Sequence, residues 1–355
     1  MSGKRSEPQH GRGATLNQLE RFQAWQRNPE DDGWGNLDAP ISPLTTTLTQ
    51  DTARSVINYN NSPDIPFDRS INPYRGCEHG CIYCFARPSH AWLGLSPGQD
   101  FESRLFYKAD AVELLTKELS AKKYSPQPVA LGINTDAWQP VERKLKITRN
   151  ILGLLQKCRH PVSIVTKSAL IERDIDILAP MAKENLVTVF ISITTLDKNL
   201  AREMEPRAAA PERRLETVQR LAEAGIPVGV LVAPVIPVLT DPEMETILNR
   251  AKEAGALEAG YALLRLPHEV KDLFKDWLEV HVPLKVSHVM NQIRGTRGGK
   301  EYDATFGTRM RGTGEYAELI RKRFKLAYGR LDFAGIPELD RSKFEPPGPK
   351  QISLF

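Results

Sequence analysis

Two hydrophobic rhythms alternate along most of this chain. Short β-branched runs predict strands over residues 69–72, 129–133, 162–166, 187–193, 228–233 and 261–266. Between them, apolar positions recur every three to four residues and predict helices over 110–122, 144–158, 169–183, 211–224 and 242–254. Asp110 stands at an N-cap position, Pro211 and Pro242 in first turns, and Gly225 and Gly255 at stops. Strands separated by helices at this spacing imply βαβ units, hence a parallel sheet with right-handed crossovers. Six units suit a partial barrel or an open doubly wound sheet, and periodicity does not choose between them.

The flanks read differently. Residues 1–48 are polar without sustained period, which predicts a mostly disordered arm with one short helix near 16–25. Residues 49–266 form the alternating core. After 266 the pattern turns helical, over 272–281, 283–293 and 314–327, giving a helical extension to about 335. Residues 336–355 read as a flexible tail, Pro-rich and then briefly apolar.

At 355 residues, 41% hydrophobic and 26% charged, the chain has room for one large α/β domain. No apolar run approaches the roughly 20 residues that cross a bilayer, so no membrane role and a cytoplasmic setting are expected. The net charge of +4 is unevenly placed: residues 281–330 carry eleven Lys/Arg against four Asp/Glu. Such a run is either a solvated helix face or a surface for a phosphate backbone.

The chemistry concentrates elsewhere. Three of the four cysteines fall at Cys77, Cys81 and Cys84, in a loop punctuated by Gly76 and Gly80 directly after the first predicted strand. That crowding indicates a metal rather than a disulfide framework. Thiolates are soft ligands suited to iron–sulfur clusters, and three of them on a four-iron cube leave one iron open. Structural zinc needs a closed fourth ligand, for which His79, His90 and the remote Cys158 are the candidates. Cys158 shares a helical face with Ile147, Ile151, Leu154 and Leu155 and reads as core.

The Cys-x3-Cys-x2-Cys loop resembles that of the radical S-adenosylmethionine (SAM) superfamily. The resemblance implies a partial (β/α)6 TIM-type barrel with the loop at the C-terminal strand ends. It also implies a [4Fe–4S] cluster on Cys77, Cys81 and Cys84, and SAM chelating the open iron through its amino and carboxylate groups. One electron, from a flavodoxin or ferredoxin-type donor, would cleave SAM to methionine and a 5′-deoxyadenosyl radical. Tyr83 would lie against the adenine, with Phe85 beside the same cofactor.

A closer resemblance, to the spore photoproduct lyase-like (DNA repair photolyase-like) branch, rests on several phrases. They are Asn72-Pro73-Tyr74-Arg75-Gly76-Cys77 through Cys84-Phe85-Ala86-Arg87, Asn134-Thr135-Asp136 with Gln139-Pro140-Val141-Glu142, Thr166-Lys167-Ser168, and Ser192-Ile193-Thr194-Thr195. It implies that Thr135 and Asp136 help hold the SAM amino group or ribose, that Lys167 pairs with the SAM carboxylate, and that Ser192 hydrogen-bonds nearby. Asn134 is a departure: the lyase has a hydrogen-donating cysteine there, which argues against its route of thymine-dimer reversal. For substrate contacts the last strand offers Tyr261 and Arg265, with His268 just beyond. No side chain is assigned as catalytic.

The chain ends Gln351-Ile352-Ser353-Leu354-Phe355, which resembles the bacterial sliding-clamp-binding peptide; Leu354 and Phe355 would fill an apolar groove and Gln351 would bond at its rim. The expected activity is therefore radical SAM chemistry on nucleic acid, in the manner of DNA repair. The rival is a non-catalytic DNA-associated Fe–S or zinc protein recruited to the clamp.

Overall fold

The computed structural model describes residues 12–18, 21–22 and 44–348. The strands are β1 (Thr47–Gln50), β2 (Ile57–Tyr59), β3 (Arg69–Ile71), β4 (Tyr74–Arg75), β5 (Arg104–Tyr107), β6 (Val129–Leu131), β7 (Val162–Thr166), β8 (Val187–Ser192), β9 (Val228–Val235) and β10 (Glu258–Leu263). Seven of them form one sheet in the order β10-β9-β8-β7-β6-β3-β2. Its six strands from β3 to β10 pair in parallel, and β2 caps the β3 edge antiparallel. The sheet is a half-barrel: β2 and β10 are not paired to each other. A second, three-stranded sheet, β1-β5-β4, carries the approach to the cysteine loop.

Parallel strands covered on both faces must be apolar almost throughout. Val187, Val189, Ile191, Val228, Val230 and Val232 accordingly show 0–1% exposure. Helices Ile147–Lys157, Ile175–Lys183, Pro211–Glu223 and Met244–Glu253 cover the outer face with apolar stripes such as Ile147, Ile151, Leu152 and Leu155. Each fully buried Leu or Ile contributes about 2 kcal/mol. Gly225 ends its helix at φ +74°, where a side chain would be strained, and Ile226 N–H returns to Leu221 O at 3.0 Å. Asp110 does flank its helix, Ala111–Leu119, but makes no side-chain cap bond. The last strand begins and ends three residues before its predicted bounds. Its first residues, Glu258-Ala259-Gly260, lack hydropathy signal and pair by backbone against Gly229 to Leu231.

The predicted helical extension splits in two. Helix Gly314–Leu331 rejoins the outer layer beside Met244–Glu253. Helices Val270–His281 and Val286–Gly295 turn instead toward the cysteine loop, where Phe274, Trp277, Val289, Met290 and Ile293 share one apolar cluster with Ile82 and Tyr83. The stretch between them, 296–313, crosses from β10 to the far edge of the half-barrel. Leu263 N–H bonds Met310 O, while Arg309 bonds Asp64 at 2.5 Å and Ser62 at 2.6 Å on the β2–β3 connection.

Both flanks are packed where they are described. Residues 12–17 of the arm are held by the backbone N–H groups of Gly13 and Ala14 on Glu102 and by the Arg12 guanidinium on Glu102 O and Leu44 O, with Ala14 and Thr15 almost fully buried. The described part of the tail is packed as well. Gly335, Asp340 and Glu345 N–H groups bond the carbonyls of Leu257, Asn185 and Cys158, so residues 335–347 strap the N-terminal strand ends. Phe344 anchors this strap between Tyr124 and His160, with ring centroids 5.5 and 5.3 Å away. The clamp-like residues Gln351, Leu354 and Phe355 lie outside the described residues. No helix among the described residues is long and apolar enough to cross a membrane.

His160 ties the strap to pH. It is fully buried, bonded to Tyr124 Oη at 2.7 Å, and burial pushes its imidazolium down to about 4. An unfolded histidine titrates near 6.5, so between pH 6.5 and 4 the unfolded chain binds a proton that the fold excludes. Stability should fall across that window by on the order of 2 kcal/mol from this group, and level off below it. Urea unfolding at pH 7 and pH 4.5 should show a smaller acid loss in His160→Gln than in wild type; equal losses would exclude the assignment.

Candidate functional site at the barrel mouth

β4 delivers the chain to Cys77 at the C-terminal end of the half-barrel. The turn needs two left-handed glycines. At Gly76 (φ +78°) a Cβ would lie 2.7 Å from Leu105 and 2.9 Å from Phe101 O; at Gly80 (φ +67°) it would lie 2.8 Å from Glu102 Oε2. Few ladder bonds support this loop, so side chains hold it. Gln139 receives Glu78 N–H at 2.8 Å and donates to Gly76 O at 3.2 Å. Ile82 N–H reaches Met204 O, and Arg207 N–H reaches His79 O.

The main brace is an ion pair with no exposure on either side: Arg87 and Glu102, 2.5 Å apart. Arg87 also donates to the carbonyls of Gly80, Cys81, Pro97 and Gly98 at 2.9–3.1 Å. Glu102 accepts Gly13 N–H at 2.9 Å and Ala14 N–H at 2.8 Å. One pair thus binds the cysteine loop, the following helix and the N-terminal segment. Such charges tolerate burial only when every remaining bonding direction is used.

Cys77 and Cys81 are 7% and 8% exposed and Cys84 is partly exposed. Burial raises all three thiols; Asp136 and the other two thiols raise Cys77 further, Glu205 raises Cys81, and the Ala86 backbone, Arg87 and Lys167 pull Cys84 back. Among the described residues no three His, Cys, Asp or Glu side chains converge on a point as a single-ion site requires. A cube asks for something else, one thiolate at each of three separate corners. The other candidate zinc ligands are engaged: His79 Nδ1 faces Asp136 at 3.4 Å, His90 Nε2 meets Arg104 O at 3.0 Å, and Cys158 sits in the main core. Three soft donors in a rigid loop, two of them buried and Cys84 partly exposed, fit an iron–sulfur cluster.

The remaining predicted residues gather around this loop in two groups. Thr135 donates to Tyr74 O at 2.8 Å. Asp136 accepts from Trp138 N–H, Thr166 Oγ1 and Lys167 N–H, all at 2.8 Å. Burial pushes its carboxyl up, but His79 and these bonds outweigh that and hold it low. Both side chains therefore lock strand ends to the cysteine loop. Ser192 is buried at the end of β8.

Lys167, Tyr83 and Ser192 adjoin a network that sequence reasoning missed. Lys167 Nζ lies 3.7 Å from Glu205, 3.3 Å from Ala233 O and 5.9 Å from the Tyr83 ring centroid. Glu205 accepts from Tyr83 Oη, from Arg214, and from Thr194 Oγ1 at 2.8 Å. Burial pushes the Lys167 ammonium down to about 8, against the pull of Cys81. Glu205 follows a short polar helix, Lys198–Met204, and had no local signature; only the strand-end phrase containing Thr194 pointed nearby.

Of the substrate candidates, Arg265 reaches the mouth, its guanidinium 4.7 Å from the Phe85 centroid. Tyr261 packs outward on Phe324, and His268 is exposed with φ +48°. The basic stretch 281–330 is partly neutralised: Arg323 bonds Asp241 and Glu245, Arg309 bonds Asp64, and Arg294 bonds Glu301.

Replacing Glu102 by Gln leaves Arg87 buried without its counter-charge. The expected cost is about 3 kcal/mol, with faster loss of iron from the cysteine loop. Thermal unfolding and iron retained after gel filtration measure both; a variant matching wild type in each would show that the pair is not the brace.

The comparisons with known proteins agree with this geometry. The Radical SAM superfamily matches over residues 71–251. An uncharacterised protein of Mycobacterium tuberculosis is 35% identical over 229 residues, 64% of this chain and 67% of its own. An uncharacterised protein of Methanocaldococcus jannaschii is 32% identical over 241 residues, 68% of this chain and 85% of its own. Among solved structures, spore photoproduct lyase complexed with dinucleoside spore photoproduct superposes with a TM-score of 0.57 at 14% identity, covering 81% of this chain and 80% of that one. That likeness is one of fold. With its half-barrel, its cysteine loop and these matches, the chain belongs to the radical SAM superfamily, whose cofactors are a [4Fe–4S] cluster and SAM.

Proposed function

We propose that Cys77, Cys81 and Cys84 hold the cluster and that the enzyme uses it on a nucleic-acid substrate. The observation that carries the first part is the loop itself: three thiols, Cys77 and Cys81 buried and Cys84 partly so, held rigid at the C-terminal strand ends, where barrels of this kind place their chemistry. A cluster held by these three cysteines would supply the one electron that reductive cleavage of SAM to methionine and a 5′-deoxyadenosyl radical requires. Lys167 presents a buried cation suited to the SAM carboxylate, and Glu205 keeps it in place. Tyr83, fixed through its hydroxyl, and Phe85, 41% exposed, offer aromatic surface for the adenine. Ser192 supplies a hydroxyl at a strand end, while Thr135 and Asp136 serve the site by fixing the loop. The helices Val270–His281 and Val286–Gly295 wall it off from water.

Nucleic acid is supported by the remaining basic residues beside the mouth and by a structural neighbour that binds a dinucleoside. Asn134, which takes the place of the lyase's cysteine, is exposed and donates its backbone N–H to Asn72 Oδ1, so a hydrogen-return step would need another donor. The rival zinc reading predicts one zinc and no iron per chain, and the rival non-catalytic Fe–S reading predicts an intact cluster that releases no 5′-deoxyadenosine. A clamp partner rests on the terminal sequence alone.

Protein reconstituted with iron, sulfide, dithionite and SAM should release 5′-deoxyadenosine. Cys81→Ala should lose both the cluster and that product. Lys167→Ala should keep the cluster but bind SAM about tenfold more weakly. An intact cluster without any 5′-deoxyadenosine in wild type would end the enzymatic reading.

A further inference from the structure

One cation at the mouth is not used by anything described above. Arg265 directly follows the last strand, at the end of the barrel where ligands bind. Its neighbours among the basic residues are engaged: Arg297 donates to Leu264 O at 2.7 Å and Thr308 O at 3.1 Å, and Arg309 is bonded to Asp64 and Ser62. Arg265 makes no hydrogen bond or ion pair among the described residues; its contact is the Phe85 ring, the residue after the third cysteine. Burial lowers its guanidinium, and the neighbouring charges of Tyr302, Asp64 and Cys84 offset that only in part. Even so, none of its nitrogens is a sealed, unpaired atom.

A half-buried guanidinium that makes no hydrogen bond or ion pair among the described residues carries a desolvation cost that the more distant charges of Tyr302 and Asp64 return only in part. Stacking on Phe85 fixes its plane and leaves the five-donor edge free, the geometry that takes an oxyanion by two parallel bonds. The other cations beside the cysteines are already held, Arg87 by Glu102 and Lys167 by Glu205 and Ala233 O. We infer that Arg265, set by Phe85, is the seat for one phosphodiester of the substrate strand, and so a specificity residue of this site. The inference rests on the nucleic-acid reading and sharpens it: the phosphate next to the reacting nucleotide is gripped beside the cluster. Stacking between Phe85 and Arg265 also explains a large aromatic left 41% exposed at that point.

The same oxyanion chemistry could come from the SAM carboxylate, and the experiment separates the sources. Cluster-loaded full-length protein, wild type, Arg265→Ala and Arg265→Lys, is titrated anaerobically with a fluorescent single-stranded DNA 12-mer across a salt series, and separately with SAM. Arg265→Ala should weaken oligonucleotide binding about tenfold and lower the slope against log salt by about one, with SAM affinity and iron content unchanged. Arg265→Lys should keep the slope but recover only part of the affinity, since a point charge lacks the fork. A dithymidine probe should bind more tightly with its phosphodiester than as the neutral methylphosphonate in wild type, and equally in Arg265→Ala. Weakened SAM binding with oligonucleotide binding intact would assign the seat to SAM and overturn the inference. Unchanged oligonucleotide binding in Arg265→Ala would overturn it while sparing the nucleic-acid reading. A wild-type protein indifferent to the oligonucleotide would overturn both.

Discussion

A carboxylate and a guanidinium buried together at zero exposure set the geometry of everything chemical in this protein. The cysteine loop has little ladder of its own, and its glycines leave it soft. Arg87 converts it into a fixed object by collecting the carbonyls of Gly80 and Cys81, and Glu102 fixes Arg87. Because Glu102 spends its other bonds on Gly13 and Ala14, the N-terminal segment becomes part of the same construction. A buried pair stripped of those extra bonds would be a liability rather than a support. With them, it positions three sulfurs without needing secondary structure.

Around that loop the half-barrel supplies chemistry from its strand ends. β7 offers Lys167, the β8–β9 connection offers Glu205, and the segment after β10 offers Arg265. The first two form an ion pair that Arg214 shares, and the third lies against an aromatic ring with no hydrogen bond or ion pair among the described residues. The gap in the sheet is spanned by 296–313 through Arg309 and Asp64, so the mouth is covered on a side where a closed barrel would have had strands.

How much of this was legible in sequence depended on range. Strands β6 to β9 announced themselves because double-sided burial demands unbroken Val and Ile runs, and the cysteine loop because its ligands lie within eight positions. β1, β4 and β5 did not: they are two to four residues long and partly exposed, with no alternation to read. The docking of 12–17 is made by backbone donors and by the polar side chains of Arg12 and Asn17, none of which leaves a hydropathy signal. Glu205 meets Tyr83 and Lys167 across more than thirty positions of sequence, and a single chain carries no trace of such pairings. Likewise the strap 335–347 depends on one aromatic, Phe344, finding a slot built from two distant loops.

The central claim is that three thiolates leave one iron of the cube for SAM. Electron–nuclear double resonance of the reduced cluster, with SAM carrying 15N at the amino group and 17O at the carboxylate, examines that corner directly. Hyperfine coupling to both labels is the result this account predicts. A cluster showing neither coupling, with a protein nitrogen or a fourth sulfur on every iron, would contradict it.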